Sequence, residues 1–442
     1  MTATTALSPS QIDAWGTAFT QDRAGRLAQN AVTKTSVNDI AIDRAIITGI
    51  DTSMSTQLDT WKVANQKKSG RCWLFAGLNF LKQNVISDCA VEWFEFSQNY
   101  LHFFDKLEKA NWFLTSMAEL ADRPLDDRLV DAMLRDPIGD GGQWDMFVSL
   151  VQKYGAVPQY AMPETESSSS TQAMNHNLET LLRRATRDLR AVAAAGGDTE
   201  AVRGAVMADV YKVLSIHLGT PPTKFIWQYK DKDKVFHRVG EMTPQQFAAA
   251  VITIDLDDYI CVVNDPRQTS GYGNMLTVDH LGNVVDGRPI AYLNAPAEAL
   301  KHLVRTSIED GRVCWFGCDV IKQFDRTTGF WDAKLLDYEG VYGVDLALSK
   351  AEAMELGESA MNHAMLFTGI DVVDGVIRRY RVENSWGDDR SDKGFDTMND
   401  SWFGEHVFEV AVRIADLPAE LAGALTKTPI VLPLWDPMGS LA

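Results

Sequence analysis

The segment Gln66-Lys67-Lys68-Ser69-Gly70-Arg71-Cys72-Trp73 constrains this chain more tightly than any other, because a polar glycine turn runs straight into a strongly apolar stretch. The residues from Cys72 to about Ile86 read as a helix. The turn sets Cys72 at its start, where unsatisfied N–H groups and the helix dipole favour a thiolate. A lowered thiol pKa and a raised nucleophilic population at neutral pH are therefore expected. Gln66 ends a short extended run that begins at Trp61. Its side-chain amide, with the backbone N–H of Cys72, would supply the two donors of an oxyanion hole. The commoner fate of a cysteine is burial as a small hydrophobe. That is the expectation for Cys89, Cys261, Cys314 and Cys318. Cys314 and Cys318 lie four apart in an expected strand, but further ligands at compatible spacing are lacking, so no metal site is expected.

A thiolate nucleophile needs a base and a group that orients the base. Among eight histidines, His363 opens an expected strand in Asn362-His363-Ala364-Met365-Leu366-Phe367-Thr368-Gly369. Twenty-one residues on comes Val382-Glu383-Asn384-Ser385-Trp386-Gly387. An asparagine there can hold the imidazole by its second nitrogen, and a nearby tryptophan can keep water off that bond. Each feature alone is weak, since a half-buried histidine is ordinary. Their order, Gln then Cys-Trp, His-Ala and Asn-Ser-Trp-Gly, is far more specific.

The rest of the chain narrows the class. Lys and Arg number 42 against 60 Asp and Glu, a net charge of −18. Such a surplus opposes nucleic-acid binding, which needs clustered cations to release counterions, and equally opposes an anionic membrane surface. No stretch approaches a membrane span, and the N-terminus carries neither a basic nor an apolar leader region, so a reduced, cytoplasmic protein is expected. Phosphate-loop, H-E-x-x-H and G-x-S-x-G motifs do not occur. Asp140-Gly141-Gly142-Gln143-Trp144 breaks the pattern before a helix over Met146–Tyr154. Ser167–Thr171 reads as a surface loop, and 175–195 and 199–217 as a helical hairpin. Strands are expected at Tyr259–Asn264, Arg312–Val320, His363–Ile370, Ile377–Asn384 and His406–Val412. The tail Ile430–Ala442 stays apolar to its end, which suggests a segment docked in a groove.

Taken together these residues resemble the papain-like cysteine peptidases, and within them the bleomycin hydrolase and aminopeptidase C branch. The likeness also takes in Trp315-Phe316-Gly317-Cys318-Asp319-Val320 and the tail Trp435-Asp436-Pro437-Met438-Gly439. It implies an α+β, papain-like fold: a helical left half, an antiparallel, barrel-like β right half, and large insertions forming a helical subdomain. It implies Cys72 as nucleophile, His363 as base and acid, Asn384 as orienter and Gln66 as oxyanion donor. Trp386 would shield the His–Asn bond, and Gly141 and Gly142 would pair with an extended peptide backbone. The expected division is a helical, oligomerising arm over 1–60, the helical half over 61–165, an inserted helical and mixed subdomain over 166–310, the β half over 311–429 and a C-terminal arm over 430–442.

Two departures from the secreted papain-like enzymes stand out. Ser69 occupies the place of the first cysteine in their C-G-[SA]-C-[WY] motif. Cys72 and His363 are 291 residues apart by number, against about 130–150 in that group. By the resemblance, the arm would lie in the cleft and the carboxylate of Ala442 would receive the free α-amine of a substrate. The implied protein is a cytoplasmic cysteine aminopeptidase without cofactor or metal, acting on peptides with a free N-terminus as a homohexamer. An endopeptidase on the same scaffold and a non-catalytic peptide-binding ring are the alternatives.

Overall fold

The computed structural model describes residues 6–58 and 62–440. Trp61 and Ala442, both named above, lie outside the described residues.

The helix expected after the glycine turn spans Cys72–Asp88, and its first ten residues are all buried. An element apolar all round has to sit inside the molecule. It packs against the long strand His363–Val373 on one side and the helices Gln98–Glu119 and Trp144–Tyr154 on others. The first nine residues of that strand are buried. Its other face is covered by the helix Ala297–Glu309. A strand covered on both faces reads as a continuous apolar run rather than an alternating one.

Around it runs a mixed, largely antiparallel twelve-stranded sheet. From one edge the order is Ile430–Leu432, Met275–Val278, Tyr292–Asn294, Tyr259–Val263, Val407–Arg413 and Cys314–Cys318. It continues through His363–Val373, Val376–Glu383, Phe395–Asn399, Phe330–Trp331 and Phe324–Asp325, with Thr56–Gln57 beside His363–Val373. The register sets His363 opposite Cys318 and Ala364 opposite Gly317. The helical and β halves meet along the Cys72 helix.

The helical hairpin is present as Gln172–Ala194 and Thr199–Leu218, with the Asp198 carboxylate accepting from the Glu200 and Ala201 amides. Buried Met174, Leu178, Leu182, Ala185 and Leu189 recur at three- and four-residue intervals and face the helix Gln98–Glu119. In the arm, Pro9–Gln21 and Arg23–Val32 contain no buried residue. Ala41 packs with Leu335 and Leu336 and ties the arm to the body.

Two sequence expectations need correction. Ser167–Thr171 is not a surface loop: Glu166–Ser169 forms a helical turn, Ser168 is fully buried, and its hydroxyl donates to Glu164 at 2.7 Å. The serines there cap a turn and serve a buried ion pair. The boundary at 310 also fails, because Tyr259–Val263 pairs with Val407–Arg413 inside the sheet. The hairpin packs on the helix Gln98–Glu119 and shares the core of the helical half. The residues from 259 onward complete the β half.

Candidate active site

The glycine turn is held by its own polar groups. The Ser69 hydroxyl donates to the Gln66 carbonyl at 2.7 Å and accepts from Arg71 Nε at 2.9 Å. The fully buried Arg71 guanidinium forms a two-pronged pair with Glu164 at 2.7 and 3.0 Å. Hydrogen bonds therefore stand where a secreted relative would place a disulfide, and none of the five cysteines is bridged. No side chain caps the helix start at Arg71, which leaves N–H groups of its first turn for the thiol.

Cys72 is 2% exposed and sits against the Ala364 amide, next to His363. Here the expected lowering of its pKa is overturned. Burial pushes the thiol up to about 11, against hydrogen bonds from the Ala364, Trp73 and Cys72 amides, and the Asp140 carboxylate adds to the rise. Desolvation outweighs the helix start. Burial likewise holds His363 down to about 4, opposed by its bond to Asn384 and reinforced by Arg326 and Arg390. Burial thus opposes charge on each of the two groups.

The imidazole is tightly fixed. His363 Nε2 lies 2.9 Å from Asn384 Oδ1, which also accepts from the Ser385 amide at 2.8 Å. Asn384 Nδ2 donates to Asp396 at 3.0 Å. An ionised carboxylate only accepts, so the amide nitrogen faces Asp396 and the oxygen faces the ring. Nε2 then carries the proton and Nδ1 is left as the acceptor. Trp386 stacks on the imidazole, with centroids 4.7 Å apart and planes 29° from parallel. The backbone bridge between Asn65 and Trp386 brings Gln66 to the same place. Gln66 Nε2 donates one hydrogen to the Ser69 carbonyl at 2.6 Å, its oxygen accepts from the Ser385 hydroxyl, and its second N–H remains.

Gly141 and Gly142 sit on the other wall. A Cβ on Gly142 would lie 2.4 Å from the Trp73 indole, so glycine is required for packing there. Lys109 Nζ donates to the carbonyls of Gly139 at 2.9 Å and Gly141 at 2.5 Å. Asp140 accepts from the Gly70 amide at 3.0 Å and pairs with Lys106 at 2.6 Å, joining this loop to the glycine turn before Cys72. Next along the loop, Gln143 Nε2 donates to the Ser440 carbonyl at 2.8 Å, and the Ser440 hydroxyl donates to the Met361 carbonyl at 2.7 Å. Ser440 thus sits between the Gly142 loop and the residues that lead into His363. The tail is anchored where Arg267 grips Asp436 at 2.7 and 3.0 Å and Ile430–Leu432 pairs with Met275–Val278.

A profile of the peptidase C1-like family matches residues 6–439. The chain belongs to that family. Bleomycin hydrolase of Rattus norvegicus is 42% identical over 429 residues, covering 94% of each chain. Aminopeptidase C of Listeria innocua is 42% identical over 388 residues, covering 88% of each. The crystal structure of PepW from Lactobacillus rhamnosis HN001 superposes with a TM-score of 0.97 at 38% identity, over the whole of both chains. The papain-like fold expected from the sequence is therefore the fold of this family member.

The structure places His363 against Asn384 and Trp386, Gln66 against Ser385, and Cys72 against the amide of Ala364, the residue after His363. Ala442 lies beyond the described residues; Ser440, bonded to Gln143 and Met361, is the last described residue of the arm. Asp396 and Lys109 escaped the sequence reading, and Asp140 and Gln143 entered it only as part of the loop, without a role. A lone aspartate in the strand Phe395–Asn399, and two lysines inside the otherwise mixed helix Gln98–Glu119, were the available signals. Among the described residues, no three metal-ligating side chains cluster and no helix is long and apolar enough to cross a membrane.

Proposed function

We propose that this chain is a cysteine-type aminopeptidase that removes N-terminal residues from peptides by acyl transfer through Cys72. The Asn384-oriented His363 beside Cys72, in a cleft entered by the chain's own tail, is the observation that carries the proposal. Relatives named bleomycin hydrolase and aminopeptidase C, about 40% identical, support it.

His363 Nδ1 takes the thiol proton as Sγ attacks the carbonyl of the first peptide bond. The Cys72 amide and the second N–H of Gln66 receive the oxyanion. The protonated imidazole then donates to the leaving amine as the C–N bond breaks. Water attacks the thioester, passes a proton to His363 Nδ1, and Cys72 leaves. Asn384 keeps the ring in the one tautomer that permits these transfers.

The arm supplies exopeptidase character. With Ser440 held by Gln143 and Met361, the arm would occupy the side of the substrate's N-terminus and exclude a chain with residues there, and a carboxylate at Ala442 would pair with a free α-amine. Homohexamer assembly and a cytoplasmic site belong to the same proposal. The arm helices support self-association, since Ile12 and Trp15 are more than half exposed and Phe19 nearly so.

The test compares free and N-acetylated aminoacyl amides with the native chain and with Cys72→Ala. Hydrolysis of free substrates only, abolished in a folded Cys72→Ala protein, is expected. An active Cys72→Ala protein would overturn the nucleophile. Equal turnover of both substrate types would overturn the aminopeptidase assignment.

A further inference from the structure

Asn384 is held from behind by an arrangement that packing alone does not require. Asp396 is 2% exposed and lies opposite Val382 in the sheet. One of its carboxylate oxygens accepts from Asn384 Nδ2 at 3.0 Å and the other from the Ser391 hydroxyl at 2.5 Å. Gly329, at φ +76°, comes so near that a Cβ there would lie 2.3 Å from both the carboxylate and the Ser391 hydroxyl. Three separate segments thus close around one carboxylate, whose other neighbour is the amide that faces His363. The charges around this unit are Arg390, which acts on both Asp396 and His363, and Arg326, which acts on His363.

We propose that Asp396 is a positioning residue for the His363 imidazole, acting through Asn384; the inference rests on the peptidase reading above. The two ends of an asparagine amide have nearly the same shape, and packing cannot tell them apart. Turned over, Asn384 would point NH2 at the N–H of His363 and its oxygen at the carboxylate, losing both hydrogen bonds. Asp396 makes that turn costly. Without it, only the Ser385 amide favours the productive orientation. A misoriented amide would leave the ring free to rotate or change tautomer, and proton transfer at Nδ1 would fail while substrate contacts stayed intact.

The test is a double-mutant cycle on full-length protein, with rates divided by the fraction of molecules that an irreversible thiol titrant labels. Asp396→Ala is expected to lower kcat about tenfold with KM within twofold. In an Asn384→Ala background the same change should cost less than twofold, because its effect passes through Asn384. Asp396→Asn, which retains an acceptor and nearly the same volume, should recover at least threefold of the loss. An equal loss in both backgrounds, or a change confined to KM, would overturn the proposal. So would a folded Asp396→Ala with unchanged kcat. Should Asp396→Ala fail to fold, the cycle is run with Asp396→Asn, where an equal effect with and without Asn384 is again the refuting result. Failure of the peptidase reading looks different: the native chain itself would not turn over substrate.

Discussion

If the arm decides which peptides are admitted, weakening its anchor should open the cleft by a calculable amount. Asp436 is the point to perturb. It lies on the arm, whereas its partner Arg267 stays paired with the fully buried Asp265 at 2.8 and 2.9 Å when Asp436 changes. Asp436→Asn removes a charged, two-pronged contact and leaves one acceptor oxygen, which can still cap the Met438 amide. One hydrogen bond to a charged group is lost, worth about 1.5–3 kcal/mol. At 1.4 kcal/mol per factor of ten, the undocked fraction should rise roughly 10- to 150-fold. The cost falls on docking and not on the body, so the melting temperature should barely move. Hydrolysis of N-acetylated peptides should climb by the same factor, up to the ceiling set by truncation before Trp435. Turnover of free aminoacyl amides should stay near its original value while most arms remain docked. A truncated protein that still refuses N-acetylated peptides would refute the blocking role altogether. Full access in the truncated protein with none gained by Asp436→Asn would refute the anchor.

Three other perturbations probe the framework. Glu409 is 1% exposed, and burial, with Asp145 nearby, raises it from the ordinary 4.5 to about 8. A raised carboxyl contributes stability that is full below pH 4.5 and lost as pH rises to 8, with a ceiling of about 5 kcal/mol at 1.36 kcal/mol per pH unit. Glu409→Gln should therefore melt higher than the native chain at pH 8 and converge with it near pH 5; parallel melting curves across that range would reject the assignment. Lys109→Met should destabilise by about 3–5 kcal/mol, because it strands the buried Asp105 carboxylate 2.8 Å away. Lys109→Met should also raise KM, since the Gly139 and Gly141 carbonyls lose their donor; adding Asp105→Asn should recover stability but not KM, and recovery of both would show that the lysine does not hold the loop. Gly142→Ala should cost about 1–3 kcal/mol by overpacking against Trp73 and raise KM, measured by melting and by kinetics on free aminoacyl amides.

What the sequence made legible was local chemistry with a directional signature. The glycine turn before an all-apolar helix could belong only to a buried helix start, and the His and Asn strands each carried their motif at a strand end. What stayed hidden depended on partners far away in the chain. The pKa of Cys72 could not be read from its helix start, because burial raises it against both the helix start and the Ala364 amide. Ser167–Thr171 looked like a solvated loop until Arg71, almost a hundred residues earlier, turned out to need Glu164 and Ser168. The boundary at 310 failed for a similar reason: Tyr259–Val263 is as apolar as any strand, and only its partner Val407–Arg413 assigns it to the β half. Asp396 belongs with these cases. In the strand Phe-Asp-Thr-Met-Asn alternation sets it on one face with Met398, and a charged residue in a short strand gives no sign of which face is covered. A second covered face turns that residue inward, and there a carboxylate persists only with donors to receive. Asn384 and Ser391 are those donors, so the aspartate stands directly behind the asparagine that holds His363.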